Sequence, residues 1–213
     1  MLEHIPAWLG HAMSGLRAGT DKLAVVQVGA QLGTELGTSF ETLDLTSPAF
    51  AHEGRMPPRF TTDGEGVSPP LVWSKPPVGT ERMVLIVEDA DAPTPQPLVH
   101  AIIWGLEADA GHLAEGAIVA DGEGDAIGRD VGRNSYLREG WLPPDPPSGH
   151  GEHRYAFQLF AVGAGAGDVG STPGRSTVID AITGHVLAAG LLIGTYSREE
   201  EAPVGPVGSG ALA

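Results

Sequence analysis

The apolar positions of the chain follow two periods. Near the N-terminus, Ile5, Trp8, Leu9, Ala12, Met13 and Leu16 recur at helical spacing, with Pro6 suited to a first turn. This predicts a helix ending near Gly19, and Asp21 to Gly37 carries a second, weaker helical stretch. From Phe40 the period shortens. Phe40 to Thr46 alternates apolar with polar, as an edge strand does, and Leu71-Val72-Trp73 is a short strand. Met83 to Val87 and His100 to Leu106 are continuous apolar runs of buried-strand type, and Arg154 to Val162 is an aromatic one. Helical spacing then returns. Val178, Ile179, Ile182, Val186, Leu187 and Leu191 predict one broad face, with Ser176 or Thr177 as N-cap and Asp180 in the first turn. Ile193 to Ser197 is a final short strand.

Turn formers separate these elements. The 31 Gly and 18 Pro show no repeat period, which implies a loop-rich, largely β architecture rather than a helical bundle. A length of 213 residues suits one well-cored domain with extensions. The expected division is an N-terminal helical arm over 1–39, the main domain over 40–198, and a flexible acidic then Gly/Pro-rich tail over 199–213. The arm either packs on its own domain or assembles a homodimer.

A formal charge of −15 argues against general nucleic-acid binding, because an acidic surface repels phosphate backbones. The absence of Cys excludes disulfides, thiolate metal sites and a thiol nucleophile. The N-terminus lacks a basic segment followed by a continuous apolar one, and Gly184, His185, Gly190 and Gly194 interrupt the longest apolar run. The expectation is a soluble cytoplasmic protein with no stable membrane insertion. Glu107 to Asp125 reads as a solvated acidic loop, its acids lacking the alternate-residue pattern of a calcium loop. Gly122 to Gly128 lacks the Lys-Ser/Thr of a phosphate loop.

Candidate chemistry centres on Pro143-Pro144-Asp145-Pro146-Pro147-Ser148-Gly149-His150-Gly151-Glu152-His153-Arg154-Tyr155. The prolines fix φ and withdraw backbone donors, and Gly149 and Gly151 permit a tight rim. His153 and Tyr155 share a face of the following strand by alternation, and Arg154 takes the other as a structural ion-pair partner. Asp89 and Asp91 end one buried strand and His100 begins the next, so both can meet at one sheet edge. Asp89 also suits a cap for the turn before Pro93. A carboxylate beside imidazoles raises their proton affinity and fixes their tautomer. Imidazolium, Tyr O–H and loop N–H groups would make a small cationic pocket for phosphate, phosphoryl or carboxylate groups.

The same residues resemble the phosphatidylethanolamine-binding protein family, in its bacterial and archaeal Raf-kinase-inhibitor-like branch. Ser68 to Trp73, Asp89-Ala90-Asp91-Ala92-Pro93, His100 before an apolar strand, Pro144 to Tyr155, and Gly194-Thr195-Tyr196 carry the resemblance, in that order. It implies a mainly β fold, with a large central antiparallel sheet packed on a smaller one and a C-terminal helix by the pocket. It implies an anion site lined by Asp89 and His100, with His153 and Tyr155 on its floor and Pro146 and Gly149 shaping its rim; His150, from its place in the turn, is either a further ligand-binding residue or a solvent-facing one. Asp91 would brace the loop.

Three functions follow as expectations. The first is a binding protein for a small anionic ligand (phosphate, a phosphoryl headgroup or a carboxylate) that acts on a protein partner. The second is an acid/base hydrolase or cyclase using His153, His100 and Asp89. The third is a dimeric interaction protein with a vestigial pocket. None requires a cofactor, and His150 and His153, three apart, do not match a helical zinc motif.

Overall fold

A computed structural model describes residues 7–31, 41–120 and 131–198. The core is a run of four long, hydrogen-bonded strands. β5 (Thr80–Asp89) pairs antiparallel with β6 (Leu98–Leu106) on one side and with β8 (His153–Gly163) on the other; β8 pairs antiparallel with β9 (Val186–Tyr196), giving the order β6-β5-β8-β9. Short β1 (Glu41–Thr42) and β3 (Gly54–Arg55) run parallel to β9 along its outer edge. A second, three-stranded antiparallel sheet contains β2 (Leu45–Thr46), β4 (Leu71–Trp73) and β7 (Gly111–Leu113).

The central strands are buried on both faces, which is why they read as unbroken apolar runs. On the inner face, Leu85, Val87, Phe157, Leu159 and Tyr155 pack with Leu71 and Trp73 of the small sheet and with Met56 and Phe50. On the outer face, Val84, Ile86, Ile102, Trp104 and Phe160 pack against α2 (Ala24–Gln31) and α3 (Arg175–Ile182) through Ala24, Val28, Val178, Ile179 and Ile182. The C-terminal helix therefore covers the face opposite the candidate site, rather than lying by the pocket as the resemblance implied.

Several local expectations are corrected. The first helix, α1 (Ala7–Met13), ends well before Gly19. Ile5 and Pro6 of its predicted pattern lie outside the described residues, and Trp8 and Leu16 are exposed. The chain from Phe40 to Thr46 splits into two short strands in different sheets, with Phe40 itself outside the described residues. Part of the acidic loop forms β7, which completes the small sheet. Gly122 to Gly128 and the tail beyond 198 lie outside the described residues.

The C-terminal helix is much shorter than its apolar period suggested. Gly174 is its N-cap, with no side-chain hydrogen bond, so neither Ser176 nor Thr177 caps it. It stops at Ile182, and Gly184, at φ 82°, turns the chain back. Val186, Leu187 and Leu191 then belong to β9, where Val186, Ala188, Gly190 and Leu192 are buried and Leu187 and Leu191 are partly exposed. The two apolar periods coincide over these few residues, and the glycine decides between them. No helix among the described residues is long and apolar enough to cross a membrane.

A buried charge fastens the N-terminal arm to the sheet. Glu88, on the outer face of β5, accepts hydrogen bonds from the amide of Ala24 (2.8 Å), from Gln158 Nε2 (2.8 Å) and from Arg175 Nε. Gln158 Oε1 accepts the amide of Val25 at 2.8 Å. The amide donors at the start of α2, which have no partner within the helix, are thus satisfied by strand side chains rather than by a local cap, and a carboxylate stands where the helix dipole favours one. Glu88→Ala should strand Arg175 without its anion and lower stability by roughly 3 kcal/mol. A urea midpoint unchanged from wild type would contradict this.

Candidate functional site

The site lies where β5, β6 and β8 end together. Asp89 and Tyr155 are directly opposed across β5 and β8, so both project from the inner face, and His153 follows two residues before Tyr155 on that face. His100 arrives there by a different route. Val87 pairs with Ala101 and Glu88 with Val99, leaving His100 as an extra residue in β6. Strict alternation would have put it with Ile102 on the outer face. The bulge turns its ring inward, edge-on to Tyr155 with centroids 5.1 Å apart and 6.0 Å from Trp141.

The proline-rich segment docks over these strand ends. His100 Nδ1 donates to the carbonyl of Leu142 at 2.6 Å, and the Leu142 amide donates to the His100 carbonyl at 2.8 Å. Thr62 donates its amide to the Pro144 carbonyl at 3.0 Å. Arg198 donates to the Pro146 carbonyl at 2.7 Å and pairs with Asp63 and Asp145, each at 2.8 Å. The result is a cavity of about 210 Å³ with mostly apolar walls. Asp89, His100, His153, Asp145, Thr62 and Arg138, with Tyr136, give it its polar lining.

The predicted residues divide into two groups. Asp89, His100 and His153 line the cavity. Tyr155 is fully buried beneath it, and Pro146, Gly149 and His150 stand behind the wall. His150 is not at the solvent. It is 1 % exposed, with Nδ1 2.7 Å from His153 Nε2 and its own Nε2 3.0 Å from the Met13 carbonyl. Gly149 adopts φ 77° and faces Ala7 and His11 of the arm. Asp91 braces the loop: it accepts Arg154 Nε at 2.7 Å and Nη2 at 2.8 Å, and pairs with Arg17 at 2.7 Å.

Hydrogen-bond roles fix the protons of the buried cluster. His150 Nε2 faces carbonyl oxygens, so it must donate. His153 Nδ1 lies 2.7 Å from Asp89 Oδ2, and that contact needs a proton too. The bond between the two rings needs a third. Three protons shared by two imidazoles and one carboxylate leave the cluster neutral overall. Asp89 Oδ1 is also engaged, accepting the Asp91 amide at 2.8 Å, which is the turn-capping role anticipated for it.

Both nitrogens of His153 are therefore occupied, and the imidazole with an unpartnered nitrogen is His100. Its Nδ1 donates to Leu142, so Nε2 is an acceptor. Burial, working against the Asp89 charge, pushes its pKa below the ordinary value and keeps the ring neutral. His100 Nε2 and the Tyr155 hydroxyl are both buried with no hydrogen-bond partner among the described residues. Burial, reinforced by Asp89, raises the Tyr155 pKa well above its ordinary value, so the phenol is a neutral donor.

Sequence reasoning missed Arg138, Thr62 and Arg198. Arg138 sits at the cavity mouth because Asn134 shapes its loop: Asn134 Oδ1 accepts the amides of Tyr136 (2.9 Å) and Arg138 (3.3 Å). Between them Leu137 holds φ 60°, uncommon for a non-glycine residue. The Asn-Ser-Tyr-Leu-Arg turn was visible just before the proline run, but nothing in it marked which residue faces the cavity.

The family model described as phosphatidylethanolamine-binding protein matches residues 46–197. The chain belongs to the phosphatidylethanolamine-binding protein family. It is 36% identical over 156 residues to a UPF0098 protein of Methanothermobacter thermautotrophicus, covering 73% of this chain and 99% of the relative. The crystal structure of the phosphatidylethanolamine-binding protein homolog CT736 from Chlamydia trachomatis superposes with a TM-score of 0.65 at 32% identity, covering 75% of this chain and 99% of that one. E. coli YbcL gives 0.66 at 25% identity, covering 73% and 98%. The matched family residues begin after the N-terminal arm.

Burial would raise the Asp91 pKa, but the bonds from Arg154 and Arg17 outweigh it and hold the carboxyl at about 2, against 3.8 ordinarily. The stability this lends is present above the unfolded value and lost as pH falls toward the folded one. Asp91→Asn should cost about 2 kcal/mol near neutral pH and flatten the acid limb of the urea midpoint curve. An acid limb as steep as wild type would contradict the pairing. Tyr155→Phe, which removes an unpaired buried hydroxyl, should leave the ligand-free protein equally or slightly more stable by up to about 1 kcal/mol. A clear loss in the same urea titration would mean that the hydroxyl is satisfied in solution.

Proposed function

We propose that this protein is a binding protein whose cavity captures a small oxyanion, of the phosphoryl or carboxylate type. The observation that carries the reading is the charge balance of the wall. Asp89 is neutralised by His153 and Asp145 faces Arg198, whereas the Arg138 guanidinium, exposed at the mouth, has no ion pair among the described residues. Among the described residues, the cavity lining therefore offers one guanidinium without an ion pair beside mostly apolar walls, Arg198 being shared between Asp145 and Asp63. This differs from an imidazolium pocket: the charge that meets the anion is a guanidinium, which stays protonated and presents several donors to one oxyanion.

The inner end favours a protonated oxygen. His100 lines the cavity and its Nε2 asks for a donor, so a hydroxyl of the ligand suits it. A singly protonated phosphoryl group fits this pairing, with its charged oxygens toward Arg138 and its hydroxyl inward. Family membership supports a binding role without naming the ligand.

Titration with inorganic phosphate and with phosphorylethanolamine should give saturable shifts in the His100 and His153 ring resonances. Arg138→Gln should weaken binding about tenfold, near 1.4 kcal/mol, the order expected for one charge-assisted hydrogen bond. Unshifted rings with both anions, or equal affinity in Arg138→Gln, would sink the proposal.

A further inference from the structure

The histidine pair ties the cavity to the N-terminal arm. His150 Nε2 donates to the carbonyls of Met13 (3.0 Å) and Leu16 (3.2 Å), both in the arm. Arg17 reaches from the same turn to Asp91 Oδ1 at 2.7 Å and to the Glu152 carbonyl at 2.8 Å. The amides of Ala18 and Gly19 donate to the carbonyls of Ala92 and Ala90, each at 2.9 Å. Gly10 lies so close to the site loop that a Cβ there would overlap the Ser148 carbonyl oxygen. Residues 7–19 thus lie across both loops that carry the site, the one after β5 and the one before β8. This segment precedes the family match, which starts at residue 46.

The contact between arm and site is sensitive to one proton. In the docked state His150 and His153 share a single proton across a 2.7 Å nitrogen–nitrogen bond. If both rings become imidazolium, that bond turns into two N–H groups facing each other between like charges. His150 must then swing away, and swinging breaks its bonds to Met13 and Leu16. The surroundings do not absorb a second positive charge. Asp89 is committed to His153, and Asp91 to Arg17 and Arg154. Arg17 approaches the His150 carbonyl at 3.5 Å, so the arm adds a positive charge of its own, and the His11 ring lies over Gly149. His100 faces His153 from β6, and the Glu152 carboxylate neighbours Arg154.

We propose that residues 7–19 form a proton-released strap on the ligand site, docked while the His150–His153 pair shares one positive charge and freed when both rings are charged. The released arm takes up a proton that the docked arm refuses, so lowering the pH favours release. Burial, the His153 charge and Arg17 all push the His150 pKa below its ordinary value, in keeping with that sign. Docking is then complete above the ordinary imidazole range and weakens as pH falls below it. The functional meaning, ligand capture coupled to acidity, rests on the cavity being the ligand site, but the strap can be tested without any ligand.

The full-length protein should be followed by amide hydrogen exchange at about pH 7.5 and about pH 5, on either side of the histidine range, with protection factors corrected for intrinsic rate. Protection of Ala18 and Gly19 should fall about tenfold or more at the lower pH, while central β8 amides such as Phe157 hold. In His150→Gln, whose amide nitrogen can keep the donation to the arm but cannot titrate, Ala18 and Gly19 should stay equally protected at both values. Gly10→Val, which pushes the arm off Ser148, should remove that protection at both and bring the His150 titration up toward an ordinary histidine. Arm protection independent of pH in the wild type, or an equal fall in His150→Gln, would overturn the strap. A flat phosphate titration would remove the proposed ligand class while leaving these exchange results standing.

Discussion

Glu88 and Asp89 are consecutive carboxylates at the end of a strand buried on both faces, and alternation sends them to opposite sides of the sheet. A buried carboxylate is costly unless it is paired and hydrogen-bonded. Much of what surrounds the sheet end meets that requirement. On the outer face Glu88 gathers Arg175, Gln158 and the start of α2. On the inner face Asp89 gathers His153 and the amide of Asp91. One dipeptide thereby joins the C-terminal helix, the arm and the site.

The two networks differ in what they leave available. The Glu88 cluster is closed: Arg175 also donates to Gln27 Oε1 and to the Lys22 carbonyl, so its donors are spent on structure. The Asp89 cluster ends at a cavity. Its charge is cancelled locally, which lets an apolar-walled cavity exist beside a carboxylate. Among the described residues, the lining cation without an ion pair stands on a separate loop, at Arg138. This gives the cavity a direction, with the His100 acceptor in its wall and a permanent cation at its mouth.

Much of the candidate site was legible because its residues sit at strand ends in a fixed order. Asp89 at the end of one apolar run, His100 at the start of the next, and His153 two before Tyr155 already put these groups at one sheet edge. His150 was harder to read, since three-residue spacing in a glycine-rich turn suits an exposed ring as well as a buried one. Only the arm, more than a hundred residues away in sequence, supplies the carbonyls that bury it. Arg138 gave no signal, because its place at the mouth depends on how Asn134 folds a turn of otherwise ordinary residues.

The sequence by itself determined the buried strands, the family and the shared face of His153 and Tyr155, because these rest on local periodicity and on a run of motifs in order. Tertiary structure decided three further things. A bulge against β5 turned His100 inward, where simple alternation would have turned it outward. Gly184 and pairing along β8 made a long strand of residues whose apolar spacing also fits a helix. The arm's carbonyls fixed the tautomer of His150 and, through it, the proton shared with His153. Each depends on partners distant in sequence, and local periodicity carries no record of which distant groups will supply a missing hydrogen bond.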